Sequence, residues 1–147
     1  MTISQRNGAQ HGAGMRARRL ALLALFEAEF RPSQAGAALE RLATERDVDD
    51  EVLARAREIV AGVQAHRSEL DDRITETAPA IPVAELGKVE RTILRSAIWE
   101  VLYSAATPSG EAISDAVSLA RIYAGDAARR LVNGVLGSIS RSSGRGV

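Results

Sequence analysis

The sequence predicts an all-α protein, and three observations carry that prediction. No segment alternates apolar and polar residues with period two, so no half-buried strand is indicated. Apolar residues recur instead at three- and four-residue spacings along most of the chain. Pro and Gly then cut these stripes into helix-sized lengths. The result is six to seven helices in two small packed helical subdomains. The chain has 147 residues, about one domain. Folding at that size buries roughly 68–70% of the unfolded surface, enough for a core without staples.

The elements follow in order. Residues 1–14 are rich in Gly, Gln and Asn without an apolar period and read as a flexible basic arm. A first helix runs from Met15 to about Phe30. Its "LALLALF" run is apolar nearly all round, as a buried helix requires. Phe30 and Trp99 are assigned to the core. Pro32-Ser33 ends this helix, and Ser33 is the expected N-cap of a short second helix reaching about Thr44. Asp49 or Asp50 caps a third, with acids in its first turn where the dipole favours them. Its apolar period continues to about Thr77, either as one helix or as two broken near His66.

Pro79 and Pro82 mark the expected seam between an N-terminal half, 15–78, and a C-terminal half, 83–141, of one helical domain. "VAELGKVERTILRSAIWEVLYS" aligns Leu86, Val89, Ile93, Leu94, Ala97, Ile98, Val101 and Leu102 on one face, and Lys88, Arg91, Arg95 and Ser96 on the other. Pro108-Ser109-Gly110 reads as a loop, followed by the helix "EAISDAVSLARIY". Gly125 and Asp126 form a C-cap followed by an N-cap, and the last helix runs to about Arg141. Residues 142–147 read as a disordered tail.

One stretch of the last helix, "ARRLVNGVLGSIS", carries a local conflict. Asn133-Gly134 is a strong hairpin signal. Leu131, Val132, Val135, Leu136 and Ile139 nevertheless hold a 3.6-residue period across it, and the helix wins. Gly134 then sits mid-helix at a cost of about 0.8–1.0 kcal/mol relative to Ala. Close approach of another helix, such as the one containing "LALLALF", is the expected return.

The net charge of zero hides an asymmetry. Residues 1–19 carry Arg6, Arg16, Arg18 and Arg19 and no acid, a charge of +4. Residues 127–147 carry Arg129, Arg130, Arg141 and Arg145 and no acid, also +4. The intervening residues hold 11 bases and 19 acids, a charge of −8. Basic ends fit an anionic ligand, and an acidic body fits a basic partner.

Several functions have no support. Cysteine is absent, so there is no disulfide, thiolate nucleophile or Cys-based metal site, in keeping with a cytoplasmic protein. No apolar run is long enough to span a membrane, and none resembles a signal peptide. His11 and His66 offer no metal spacing and no oriented catalytic base; His66 is expected on the outer side of its helix. No phosphate-cradling glycine loop occurs. Asp71-Asp72 and Asp49-Asp50-Glu51 read as solvated helix surfaces. No catalytic residue, metal, cofactor or small-molecule substrate is expected.

The tetrapeptide Ala-Arg-Arg-Leu occurs twice, at Ala17–Leu20 and Ala128–Leu131, each time near the expected start of an apolar helix. A helix start leaves backbone N–H groups unpaired, and arginines there add bidentate phosphate donors. Arg16, Arg18, Arg19, Arg129 and Arg130 are thus candidate contacts for nucleic-acid phosphate. Single-stranded bases are read by stacking, and Tyr123 is the nearest aromatic to the second cluster.

"GKVERTILRSAIWEVLYS", "EAISDAVSLARIY" and "RRLVNGVLGSIS", in that order after "RARRLALLALFEAEF", resemble the NusB family of transcription antitermination factors over about Arg16 to Arg141. The resemblance implies a non-enzymatic RNA-binding protein that pairs with the small-subunit ribosomal protein NusE. The pair would bind boxA-type single-stranded RNA of nascent ribosomal transcripts, alongside other Nus factors and RNA polymerase. It places Arg16, Arg18 and Arg130 toward RNA, and Phe26, Glu85, Glu90 and Asp126 toward the protein partner. Asn133 and Gly134 belong to the family's signature. Leu131 stands where the family usually has Phe, which removes a stacking ring and keeps an apolar contact. Leu23 stands where a Gln is common, and Ala127 follows Asp126 where a second acid often stands. The competing reading is a helical adaptor, or an accessory domain like those fused to ribosomal RNA methyltransferases. The chain's length leaves no room for a catalytic domain of that kind.

Overall fold

A computed structural model describes the backbone of residues 3–31, 34–105 and 107–143, with side chains from residue 12 onward. Ser33, expected as a helix cap, and residues 144–147 of the expected tail lie outside the described residues. Six α-helices follow in order: α1 (Ile3–Ala28), α2 (Ala35–Arg46), α3 (Asp50–Thr77), α4 (Lys88–Tyr103), α5 (Ser109–Ala124) and α6 (Asp126–Ser142). A short 3-10 turn, Val83–Glu85, precedes α4. No strand occurs among the described residues. The chain forms two compact units, Met1–Ala61 and Gly62–Val147.

The first unit holds α1, α2 and the first turns of α3, with α1 packed on α2. The "LALLALF" run is buried at Leu20, Ala21, Leu22, Ala24 and Leu25. Leu39 of α2 and Val52 and Ala56 of α3 are also buried. Glu27 of α1 pairs with Arg41 of α2, and Glu40 of α2 receives both Nε and Nη2 of Arg57 on α3, at 2.7 and 2.9 Å. These pairs are exposed, so they register the helices more than they stabilise them. α1 begins at Ile3, not near Met15, so the arm expected over 1–14 is corrected to helix from Ile3 onward, residues 1–2 lying outside the described residues. A nucleated helix adds one hydrogen bond per residue ordered, and Gln5, Arg6, Ala9 and Gln10 tolerate that extension. Phe30, expected in the core, lies beyond the end of α1 and is 65% exposed.

In the second unit α4, α5 and α6 pack pairwise. Ile93, Leu94, Ile98 and Val101 of α4 meet the same interior as Leu119, Val132, Leu136 and Ile139. The later part of α3 belongs here as well. Arg95, expected on the outer face of α4, is buried and directs Nε and Nη2 at the two carboxylate oxygens of Asp71, at 2.7 and 2.9 Å. Asp71, expected on a solvated surface, is the half-buried partner of that pair. Trp99, one turn beyond Arg95, covers Gly62 so closely that any side chain there would collide with the indole. These contacts place the boundary between units inside α3, not at Pro79–Pro82.

α3 is continuous with a kink at His66, whose φ and ψ are −120° and 16°. The His66 ring is half-buried; its Nδ1 donates to Gly62 O at 2.9 Å, and it stacks on Tyr103 with centroids 4.3 Å apart. Tyr103 in turn donates to Glu69. That hydrogen bond is the main reason the Tyr103 phenol is raised above its ordinary value.

α6 is helical through Asn133-Gly134, with Val132, Val135, Leu136 and Ile139 buried. The expected close approach at Gly134 is not found: apart from the adjoining backbone of its own helix, no atom comes within 4 Å of where its β-carbon would stand. Asn133 and Gly134 both face solvent.

The two helical glycines should therefore respond oppositely in urea denaturation. Gly134→Ala should stabilise by about 0.8–1.0 kcal/mol. Gly62→Ala should destabilise by about 1–3 kcal/mol, because the indole must move out of a packed position. Equal responses would contradict the packing described. Asp71→Ala should cost toward the lower end of roughly 3–5 kcal/mol, since it leaves the Arg95 guanidinium buried beside an incompletely buried vacancy.

Candidate nucleic-acid interface

The two Ala-Arg-Arg-Leu stretches have different fates. In the first, the extension of α1 to Ile3 moves Arg16, Arg18 and Arg19 into the helix body. The unpaired N–H groups and positive dipole end expected beside them are therefore elsewhere. Arg18 is 6% exposed, so it is not a surface contact. Arg19 is half-buried, and its Nε is buried without a hydrogen-bond partner. Arg16 is exposed; it donates to Gly12 O at 3.3 Å and lies 3.9 Å from Asp49. Of this trio only Arg16 is exposed.

The second stretch does stand at a helix start. Gly125 adopts φ of 94°, a left-handed value that glycine reaches without strain, and α6 begins at the next residue. Asp126, expected as the N-cap, is instead the first residue of α6, and Gly125 caps. The Asp126 carboxylate accepts Nε of Arg129 at 2.7 Å through one oxygen and Nη1 of Arg130 through the other. The Arg129 hydrogen bond, and then its charge, hold the Asp126 carboxyl below the ordinary aspartate value against slight desolvation. The charges of Arg130 and of Arg121, from the end of α5, act in the same direction. Asp126 in turn raises Arg129. Three guanidinium groups from two helices thus act on one carboxylate.

Following Arg121 along α5, Ile122 and Tyr123 are 53% and 42% exposed. Large apolar side chains next to clustered arginines suit a base-stacking strand with a phosphate backbone. Arg130 is exposed, Arg129 and Leu131 are half-buried, and Asn133 and Gly134 follow Arg130 one turn later on α6. Sequence reasoning raised Tyr123 but missed Arg121 and Ile122. The signal was available: Ile122-Tyr123 falls off the stripe of Ile113, Ala116, Val117 and Ala120.

The expected protein-partner residues lie on different elements. Phe26 is half-buried, with its ring 5.5 Å from Phe30 at 82°, an edge-to-face pair at the end of α1. Glu85 is exposed on the 3-10 turn. Glu90 is half-buried and folds back over Gly87, the residue that caps α4, so its carboxylate already sits at a helix start. Asp126 is held by arginines. No helix among the described residues is long and apolar enough to cross a membrane, and none of their acidic, His or Cys groups cluster as a metal site.

The model of the NusB family matches residues 15–141. The transcription antitermination protein NusB of Dehalococcoides mccartyi strain CBDB1 is 35% identical over 127 residues, 86% of this chain and 89% of that protein. A crystal structure of the antitermination factors NusB and NusE in complex with double-stranded RNA superposes with a TM-score of 0.82 at 27% identity, covering 88% of this chain and 97% of the matched one. The NusB of T. maritima superposes with a TM-score of 0.81 at 29% identity, covering 86% and 89%.

The arginine cluster has a measurable signature. In an NMR titration the Asp126 carboxyl should protonate below the ordinary aspartate value of about 3.9. Arg129→Ala should move that midpoint upward. The folded-state value is depressed, so the contribution of this pairing is present above the unfolded value and lost as pH falls through the folded one. An ordinary midpoint that ignores Arg129→Ala would mean the contact is not populated in solution.

Proposed function

The chain belongs to the NusB family, and we propose that it acts as a non-enzymatic, RNA-binding transcription antitermination factor in the cytoplasm. The observation that carries this reading is the corner between α5 and α6. There Arg129 and Arg130 share the Asp126 carboxylate, the charge of Arg121 acts on the same group, and Ile122 and Tyr123 follow Arg121 exposed at the end of α5. Guanidinium groups supply bidentate phosphate contacts, and an aromatic face supplies sequence-tolerant stacking. Arg16 adds a further exposed cation.

In this reading the chain pairs with the small-subunit ribosomal protein NusE. The pair binds boxA-type single-stranded RNA in nascent ribosomal transcripts and supports ribosomal RNA synthesis with other Nus factors and RNA polymerase. The relative crystallised with NusE and RNA supports that choice of partners. The acidic charge of residues 20–126 suits a basic ribosomal protein, because complementary charge steers association. Glu85 and Glu90 are the acids proposed to meet it, and Phe26 with Phe30 supplies an apolar contact. Leu131, half-buried beside Arg130 in the chain, contributes apolar surface. Burial of Arg18 favours the helical adaptor as the second reading, since it removes one expected RNA contact.

Titration of a boxA-type RNA with the protein, with NusE and with their mixture separates the two. Antitermination requires the mixture to bind more tightly than either component; equal binding favours the adaptor. Arg129→Ala combined with Arg130→Ala should weaken binding and flatten the salt dependence by about 0.7 log units per lost phosphate contact. Arg18→Ala should instead lower thermal stability with little change in that slope.

A further inference from the structure

We propose that Asp126 is a built-in competitor for RNA: its carboxylate pairs with Arg129 and Arg130, and a backbone phosphate binds by displacing it. The inference rests on the RNA-binding reading of this corner. Its basis is geometric. Asp126 uses both carboxylate oxygens, one on Nε of Arg129 and one on Nη1 of Arg130, so each guanidinium already spends part of its donor fork on an internal anion. The same carboxylate sits in the first turn of α6, where a helix start favours any anion. It stands, in effect, where a phosphate oxygen would stand.

The contact is also suited to exchange. The side chains of Asp126 and Arg130 are 60% and 64% exposed, so water and salt screen their pairing. Three arginines around one carboxylate leave a net positive corner that still attracts a polyanion. A phosphodiester brings bidentate acceptors to guanidinium groups, and a strand also brings a base to Tyr123. An isolated small anion brings only the first. Competition by Asp126 therefore selects for ligands that engage the arginines and the adjacent exposed ring together. Arg129 and Arg130 start paired, so displacing a tethered carboxylate releases fewer bound counterions than neutralising free arginines would.

The test compares Asp126→Asn and Asp126→Ala with the unaltered chain, using a boxA-type single-stranded RNA oligonucleotide and NusE. Both variants should bind more tightly, on the order of three- to tenfold near 0.1 M salt, with a salt dependence steeper by up to about 0.7 log units per phosphate. In an Arg129→Ala, Arg130→Ala background the Asp126 substitutions should have little effect, since both guanidinium groups that the carboxylate bonds are then gone. Circular dichroism and melting curves identify any variant that misfolds, and the chemically milder Asn substitution guards against that outcome. Unchanged affinity and slope would overturn the proposal by showing the pair to be idle. Weaker binding by both folded variants would overturn it by showing that Asp126 positions the arginines productively. If the unaltered chain binds no RNA, with or without NusE, the RNA-binding reading itself fails.

Discussion

Carrying the Arg95 guanidinium into the interior is the constraint on which the second unit depends. A buried charge must be matched, and Asp71 matches it through both oxygens. That requirement draws the later turns of α3 alongside α4. Trp99 and Tyr103 continue the contact on successive turns, the first over Gly62 and the second against His66. Gly62 is needed because the indole occupies the volume of its missing β-carbon. His66 departs from helical geometry where its ring binds the carbonyl one turn back and meets Tyr103. With α3 and α4 joined, the apolar faces of α5 and α6 complete the core.

The α5–α6 corner follows from that packing. Burial of Leu119 and Ala120 ends the inward face of α5, leaving Arg121, Ile122 and Tyr123 outside. The positive φ of Gly125 lets α6 begin with no intervening loop. The charge of Arg121 thereby acts on the same carboxylate that Arg129 and Arg130 bond from α6. A longer connection would have separated these charges. The electrostatic centre of the candidate interface is thus a product of one glycine's conformation and two buried helix faces.

The paired Ala-Arg-Arg-Leu stretches show how context overrides sequence identity. In α6 the arginines follow a glycine cap, stay near the surface and meet an acid three and four residues earlier. In α1 the helix runs on past them toward the N-terminus, and Arg18 is drawn inside. Charge patterning along the chain cannot separate these outcomes, because the helix face that turns inward depends on what packs against it.

Much of the fold was legible without coordinates. The 3.6-residue period identified the helices, kept α6 intact through Asn133-Gly134 and placed the Gly125 punctuation. It works because each helix must bury one stripe, and stripes are local. Three features were decided only by tertiary structure. Arg95 and Asp71 look like surface charges until their helices meet, and Phe30 looks like core until α1 stops short of it. The action of the Arg121 charge on Asp126 depends on how α5 turns into α6. The sequence by itself determined which faces are apolar and where helices can stop. Tertiary structure decided which charges are buried, paired or free, because solvation and Coulombic interaction depend on neighbours brought together only by folding.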